Sequence, residues 1–258
     1  MNRRQHCKER EDKIMTKGIV ISLYDFTGEA LKPWAEAGYD CYAYDIQHSK
    51  ENVNTDTFVG SKGSITYVHA DLHDFDTHKD IFMQFNGRKV VFGMAFPVCT
   101  DMAVSGAAHF KRKAERDPEF QTKAVQYAVW CGELFDDLGV PYFVENPVSV
   151  LATKWRKPDH SFHPYEYGGY IHDDHAEHPR WPEYIAAKDA YPKKTCLWTG
   201  NGFVMPWTDP VQPEQGYSTQ HKKLGGKSQR TKDIRSATPR GFAKAVYEFN
   251  SQPVEEMA

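Results

Sequence analysis

The chain has 258 residues, 40% hydrophobic and 14% aromatic, enough to bury an ordinary core in one domain, or in one domain with a small appendage. No stretch reaches the roughly 18 to 20 uninterrupted apolar residues of a membrane span. The start, MNRRQHCKEREDKIMTK, has no apolar signal region, so a soluble, cytoplasmic protein is expected. The net charge of -3 argues against a protein that coats nucleic acid, and the five cysteines, odd in number and never in CxxC, point to neither a disulfide framework nor a thiolate zinc site.

Residues 1–16 are polar and aperiodic and read as a flexible tail, with the fold beginning at Lys17. GIVISLY (18–24) is a β-branched apolar run that predicts a strand, ended by DFTG. ALKPWAEAG (30–38) follows as a short helix closed by Gly38. DCYAYDI (40–46) is a second strand ending in an acid. A polar loop to about residue 63 leads to a third, SITYVHAD, ending at Asp71. A helix around Asp76 to Phe85 precedes RKVVFGMAF (88–96), a nearly continuous apolar run suited to a strand buried on both faces. After the loop PVCTDMAVSG, apolar residues recur at helical spacing from about Pro118 to Leu138, and VPYFVENP (140–147) is a fifth strand broken by Pro147. The alternation predicts an α/β doubly wound sheet with helices on both faces and right-handed crossovers. From Trp155 onward the texture is proline, histidine, glycine and aromatic, with one strand-like run, KTCLWTG (194–200), and a final helix near Pro239 to Phe249. A single domain is expected, with a core over 17–154 and a loop-rich lobe over 155–258 that completes the site above the sheet.

In an open α/β sheet, ligands bind beyond the carboxyl ends of the strands. The residues there are Asp25, Phe26, Thr27 and Gly28, then Asp45, Asp71, Pro97 with Cys99, and Glu145 with Asn146 and Pro147. The turn DFTGEA has one glycine for close backbone approach and lacks the GxGxxG that cradles a pyrophosphate. With Asp45 placed to hold ribose hydroxyls, the set fits a nucleoside cofactor without phosphate, such as S-adenosylmethionine. The competing reading is a strand-to-helix turn with an N-cap acid.

Cys99 sits in a polar loop before a helix, where a lowered thiol pKa would make it a nucleophile; the alternative is a small core residue. Glu145 stands at an apolar strand end, where burial would fit it to donate a proton; the alternative is a structural partner of a helix or lysine. Lys222, Lys223, Lys227, Arg230, Lys232, Arg235 and Arg240 crowd the last fifth of the chain, as a phosphate-contacting strip or a solvated loop. The cluster from His172 to His178 reads as an exposed polar loop, with no metal expected.

A Pro-x-Cys element after the fourth strand and Glu-Asn after the fifth, with DFTG first and Asp45 second, resembles the motif order of the DNA cytosine 5-methyltransferases. The similarity covers Lys17 to Asn146 and extends more loosely beyond. It is strongest to small phage-encoded cytosine methylase-like proteins, which share ENP (here ENPVSVLATKWRKP) and a basic KTCLW segment (here YPKKTCLWTGNGFVMP). The resemblance implies a Rossmann-like S-adenosylmethionine-dependent methyltransferase acting in a bacterial or phage-infected cell. In that scheme Cys99 attacks carbon 6 of cytosine, Glu145 contacts ring nitrogen 3 and the amine, and Lys194, with Lys193 as the alternative, contacts the base carbonyl. Phe26, Thr27 and Gly28 would line the cofactor, with Asp25 and Pro97 beside them. Asp45 would hold its ribose and Asp71 approach its adenine. Asn146, Lys193, Arg230 and Arg235 would face the substrate.

The implied partner is DNA, duplex or single-stranded, and the protein a monomer or weak homodimer. The chain departs from the family in FPVC for two prolines, in ENP for ENV, in its reduced glycine turn, and in having only about forty residues between CLW and the last helix, too few for a separate target-recognition domain. Two other functions fit the same residues: a pyrimidine-modifying enzyme acting on nucleotides or with another one-carbon donor, and a non-catalytic nucleic-acid-binding protein on this scaffold.

Overall fold

A computed structural model of the chain describes residues 16–57, 63–225 and 228–251. The expected flexible tail, apart from Thr16, lies outside the described residues, as do Cys7 and Lys227. In chain order the first half holds β1 (Ile19–Leu23), α1 (Lys32–Glu36), β2 (Asp40–Asp45), β3 (Asn54–Thr57), β4 (Ser64–His69), α2 (Phe75–Phe85), β5 (Val90–Ala95), α3 (Phe110–Arg116) and α4 (Phe120–Leu138). The second half holds β6 (Tyr142–Pro147), α5 (Leu151–Lys154), β7 (His160–Phe162), β8 (Thr195–Gly200), α6 (Thr219–Lys223), α7 (Gln229–Ser236) and α8 (Arg240–Asn250), joined by short 3-10 turns.

All eight strands form one sheet in the order β3-β4-β2-β1-β5-β6-β8-β7. From β4 to β6 the neighbours pair in parallel, while β8 runs antiparallel to both β6 and β7. Every residue of β1 is buried, as expected for a strand covered on both faces.

One face is covered by α2 and α4, which bring Ile81, Phe85, Ala128 and Phe135 against the sheet. Gly93 in β5 permits this, because a Cβ there would stand 2.3 Å from the Phe135 ring. Gly139 ends α4 in the left-handed region, φ 67°, where glycine is favoured. The opposite face is covered by α1 and α8, with Trp34 stacked on Phe92 at 5.0 Å and Phe242 on Phe162 at 4.0 Å.

Three elements depart from expectation. β3 lies within the expected polar loop. Its four residues, NTDT, are all exposed and carry no apolar alternation to mark them. α3 forms in a stretch for which the sequence predicts no element, from the charged run FKRKAER with no buried residue. The C-terminal lobe is not confined to the space above the sheet: it contributes β7 and β8 to the sheet and builds a small core from Trp181, Ile185, Tyr191, Leu224, Ile234 and Ala237.

A buried carboxylate ties this lobe to α8. Asp189 accepts the N–H groups of Arg240 and Gly241, the first residues of α8, at 2.5 and 3.3 Å. The Arg240 guanidinium donates to the carbonyls of His175, Ala176 and Glu177. Burial pushes the Asp189 carboxyl up to about 6 against the pull of Arg240. Gly241 rests on the backbone of Tyr167, where a Cβ would come within 2.1 Å of the carbonyl oxygen. Gly241→Ala is therefore expected to destabilise the protein by about 1–3 kcal/mol, the cost of overpacking against atoms that cannot turn aside. A thermal melt checks this, at roughly 2–4 °C of midpoint for each kcal/mol.

Candidate active site

The chain order reverses between β1 and β5, which lie side by side, and the carboxyl ends of these strands open the crevice where such sheets bind ligands. Directly after β1, Tyr24 adopts φ 57°, an uncommon state for a bulky residue, and its hydroxyl donates to the Leu72 carbonyl. Asp25 is buried and spends its carboxylate inside the turn, accepting from the Ser22 hydroxyl at 2.8 Å, the Gly28 N–H at 2.7 Å and the Thr27 hydroxyl at 3.4 Å. Gly28 has φ 68°, but the space in front of it is not open to a ligand, because a Cβ there would meet the Tyr67 hydroxyl at 2.7 Å. Asp25 and Gly28, expected at the cofactor, thus shape the turn and seat Tyr67.

The open space lies beside this turn. A cavity of about 360 Å³ is walled by Phe26, His48, Asn52, Asn54, Asp56 and Tyr67, among others, and falls within the size of small-molecule sites. Phe26 and His48 stack at 5.7 Å, and His48 Nε2 donates to the Asp25 carbonyl. Asp45 ends β2, buried, accepting the Gln47 N–H at 2.8 Å. Burial raises its pKa, so further O–H donors to this carboxylate would be favourable. Thr27, in the turn after β1, is buried, whereas Asp71 is exposed and accepts the His73 N–H. The aromatic wall and polar rim of this cavity, rather than the glycine turn, are the residues that could hold a nucleoside-type group, and the buried Asp45 stands outside its lining.

A second cluster forms at the ends of β5 and β6. Asn146 is fully buried and donates from Nδ2 to the Pro97 carbonyl at 3.0 Å, while the Val104 and Val150 N–H groups reach the carbonyls of Val148 and Met102. The loops after the two strands are thereby locked together, and Asn146, expected at the substrate, serves as the bolt. Cys99, at the start of a three-residue 3-10 turn, is the one cysteine among the described residues that is not buried. Its thiol pKa is pushed up by burial and then by the Glu145 charge, while Lys193 pulls it down. The lowering expected from a following helix is absent, since three residues are too few to build a helix terminus of useful charge.

Glu145 is likewise pushed up by burial, with Lys193 opposing. Glu145 and Lys193 line a cavity of about 10 Å³ with Phe96, Phe162 and Thr195, roofed by residues 236–239 between α7 and α8. That volume admits one water molecule. Lys193 Nζ also donates to the Arg235 carbonyl at 3.0 Å. Lys194, expected to contact the base, is exposed and stands outside this group, because adjacent residues entering a strand point to opposite faces.

The two arginines expected at the substrate are occupied on α7. Arg230 lies near Glu183 at 3.5 Å and over the Tyr184 ring, and Arg235 turns back to the Leu224 carbonyl at 2.6 Å. In the histidine-rich loop, His178 is buried and accepts the N–H groups of Arg180 and Trp181, and burial lowers its pKa to about 4. Among the described residues no three metal-ligating side chains converge. Sequence reasoning missed His48 and Tyr67, which carry no signal beyond a loop and a strand position. It also missed the roof at 236–239, which the TPRG before the last helix could have flagged.

Five parallel strands that reverse order at β1 and β5, with one antiparallel strand inserted next to the last and helices on both faces, make this a Rossmann-like methyltransferase fold. No protein-family profile and no curated protein sequence matches the chain. Among solved structures it is similar, at a TM-score of 0.42 and 16% identity, to a protein from E. coli described provisionally as a DNA modification methyltransferase encoded within a prophage. The match covers 76% of this chain and 53% of that one, so the chain spans about half the length of that protein.

The charges around Cys99 make opposite demands on its thiol. Glu145→Gln should lower the pH midpoint for alkylation of Cys99 by iodoacetamide, and Lys193→Gln should raise it. Mass spectrometry of the Cys99 peptide across pH reads both, and two unmoved midpoints would dissolve the cluster.

Proposed function

We propose that the protein methylates carbon 5 of cytosine in DNA, acting as a single domain with S-adenosylmethionine as donor. The observation that carries this reading is the convergence of a partly exposed thiol, a half-buried carboxyl group and a lysine at the ends of β5 and β6, in a sheet that also holds a nucleoside-sized cavity after β1 and β2.

Each group has a task set by its surroundings. Cys99, as thiolate, forms a bond to carbon 6 of the pyrimidine, and the ring π electrons shift toward carbon 5. Glu145 holds its proton more tightly than a free carboxyl group, which suits it to donate to ring nitrogen 3 as negative charge develops there. Lys193 stabilises both the thiolate before attack and the ring oxygen after it. The cofactor, when bound against Phe26 and His48, supplies an electrophilic methyl group to carbon 5. Water takes the carbon 5 proton, which restores the 5,6 double bond and expels the Cys99 thiolate, and ring nitrogen 3 returns its proton to Glu145. Burial that raises the Cys99 pKa also strips the thiolate of water, so its formation depends on Lys193. Residues 236–239 must move aside for a base to reach Glu145, because the cavity beneath them holds no more than a water.

Incubation with labelled S-adenosylmethionine and duplex DNA, single-stranded DNA or deoxycytidine nucleotides tests this. Label should pass to DNA, Cys99→Ser should abolish transfer, and Glu145→Gln should slow it by about 10²- to 10⁴-fold, the usual range for losing a general acid. Absence of transfer from the native protein to every substrate would refute methylation. Transfer to nucleotides alone would move the substrate to the free pyrimidine, and transfer that survives Cys99→Ser would remove the covalent step.

A further inference from the structure

The rim of the Cys99 loop combines two features that the chemistry above does not use. Three valines stand exposed around it: Val98 at 50%, Val104 at 52% and Val148 at 44% of their full surface. Val104 and Val148 adjoin, the Val104 N–H donating to the Val148 carbonyl at 3.0 Å, and Val98 stands on the same pair of loops, which Asn146 ties together through the Pro97 carbonyl. The chain runs from Val104 through a 3-10 turn directly into α3, which turns back on the loop. Lys113 fixes it there, donating to the Thr100 carbonyl at 2.8 Å and to Asp101 at 2.5 Å.

On the same short helix Lys111, Arg112 and Arg116 are exposed and make no ion pair among the described residues. Arg116 lies three residues from Lys113, hence on the face turned toward the loop. A chain of net charge -3 has therefore gathered three free cations within seven residues, next to an apolar rim and its one partly exposed described cysteine.

Resting on the cytosine reading, we propose that this rim is the track of a single DNA strand, with phosphates on Arg112 and Arg116 and the bases flanking the target laid on Val98, Val104 and Val148. Charge complementarity selects a polyanion. The valines select its unpaired form, since apolar side chains gain from the flat faces of bases, and a duplex keeps those faces inside its stack. Reading a duplex by sequence would instead need hydrogen-bonding side chains presented to base edges in a groove. This rim offers valines and charges in their place.

Fluorescence anisotropy of a labelled 20-nucleotide single strand, with the full chain carrying Cys99→Ser and no cofactor, reads binding apart from catalysis. Arg112→Glu with Arg116→Glu should weaken binding at least tenfold, and the slope of log affinity against log salt should fall by about 1.4, two phosphate contacts at roughly 0.7 each. Val104→Asp should weaken binding without the loss of slope expected for a lost cation, and Lys222→Glu with Lys223→Glu on α6 should leave affinity within twofold. All five positions are exposed, and circular dichroism confirms that each variant folds. Arg112→Gln with Arg116→Gln, which keeps the helix polar, should give the same direction of change.

Equal affinity of the α3 variants and the native chain, or tighter binding of the matching duplex than of the single strand, would overturn the proposal. Strand binding through α3 in a chain that transfers no methyl group would leave this surface standing and remove the enzymatic reading. Methyl transfer to free nucleotides without strand binding would do the reverse.

Discussion

The antiparallel entry of β8 beside β6 is the constraint on which the composition of the site depends. A parallel neighbour would bring its carboxyl end to the crevice; β8 brings its amino end. Pro147 pairs with Thr195 and Asn146 with Cys196, so the residues that lead into β8 arrive where β6 leaves Glu145. A lysine 48 positions later in the chain is thus delivered to a carboxylate and a thiol with no loop needed to span the sheet. The same pairing lets β7 add a further edge, so the C-terminal lobe is stitched to the core by backbone hydrogen bonds as well as by side chains.

The ordering of polar groups around that crevice follows a single physical logic. Carboxylates that hold the backbone in shape are saturated with donors, as Asp25 is by Ser22, Thr27 and Gly28. The Glu145 carboxyl group accepts no hydrogen bond among the described residues, and burial raises its pKa as it does that of Asp25. The two groups sit at strand ends of the same sheet, and their difference in hydrogen bonding separates scaffold from site more clearly than their position does.

Much of this architecture was legible because its signals are local. Continuous apolar runs such as IVISL and VVFGMA can only be central strands, and the spacing of Ala124, Ala128, Cys131 and Phe135 along α4 can only be one face of a helix. Cys99 and Glu145 were visible for the opposite reason, as chemistry-bearing residues where packing alone would not place them. What escaped has no local signature. NTDT becomes β3 only through pairing with β4, and His160–Phe162 becomes β7 only because β8 offers it an edge. Lys193 and Lys194 are indistinguishable until the direction of the strand entry is known. Gly28 looks like a ligand cradle until Tyr67, 39 positions away, is seen to fill it.

α8 has two clients. Along one side Phe242, Ala245 and Val246 complete the sheet's core, and at its start Asp189 and the carbonyls of residues 175–177 are gathered onto Arg240 and Gly241. Fraying of this one helix would therefore uncover that core and release the lobe in the same event. The last described helix in the chain is thus a shared latch between the two regions.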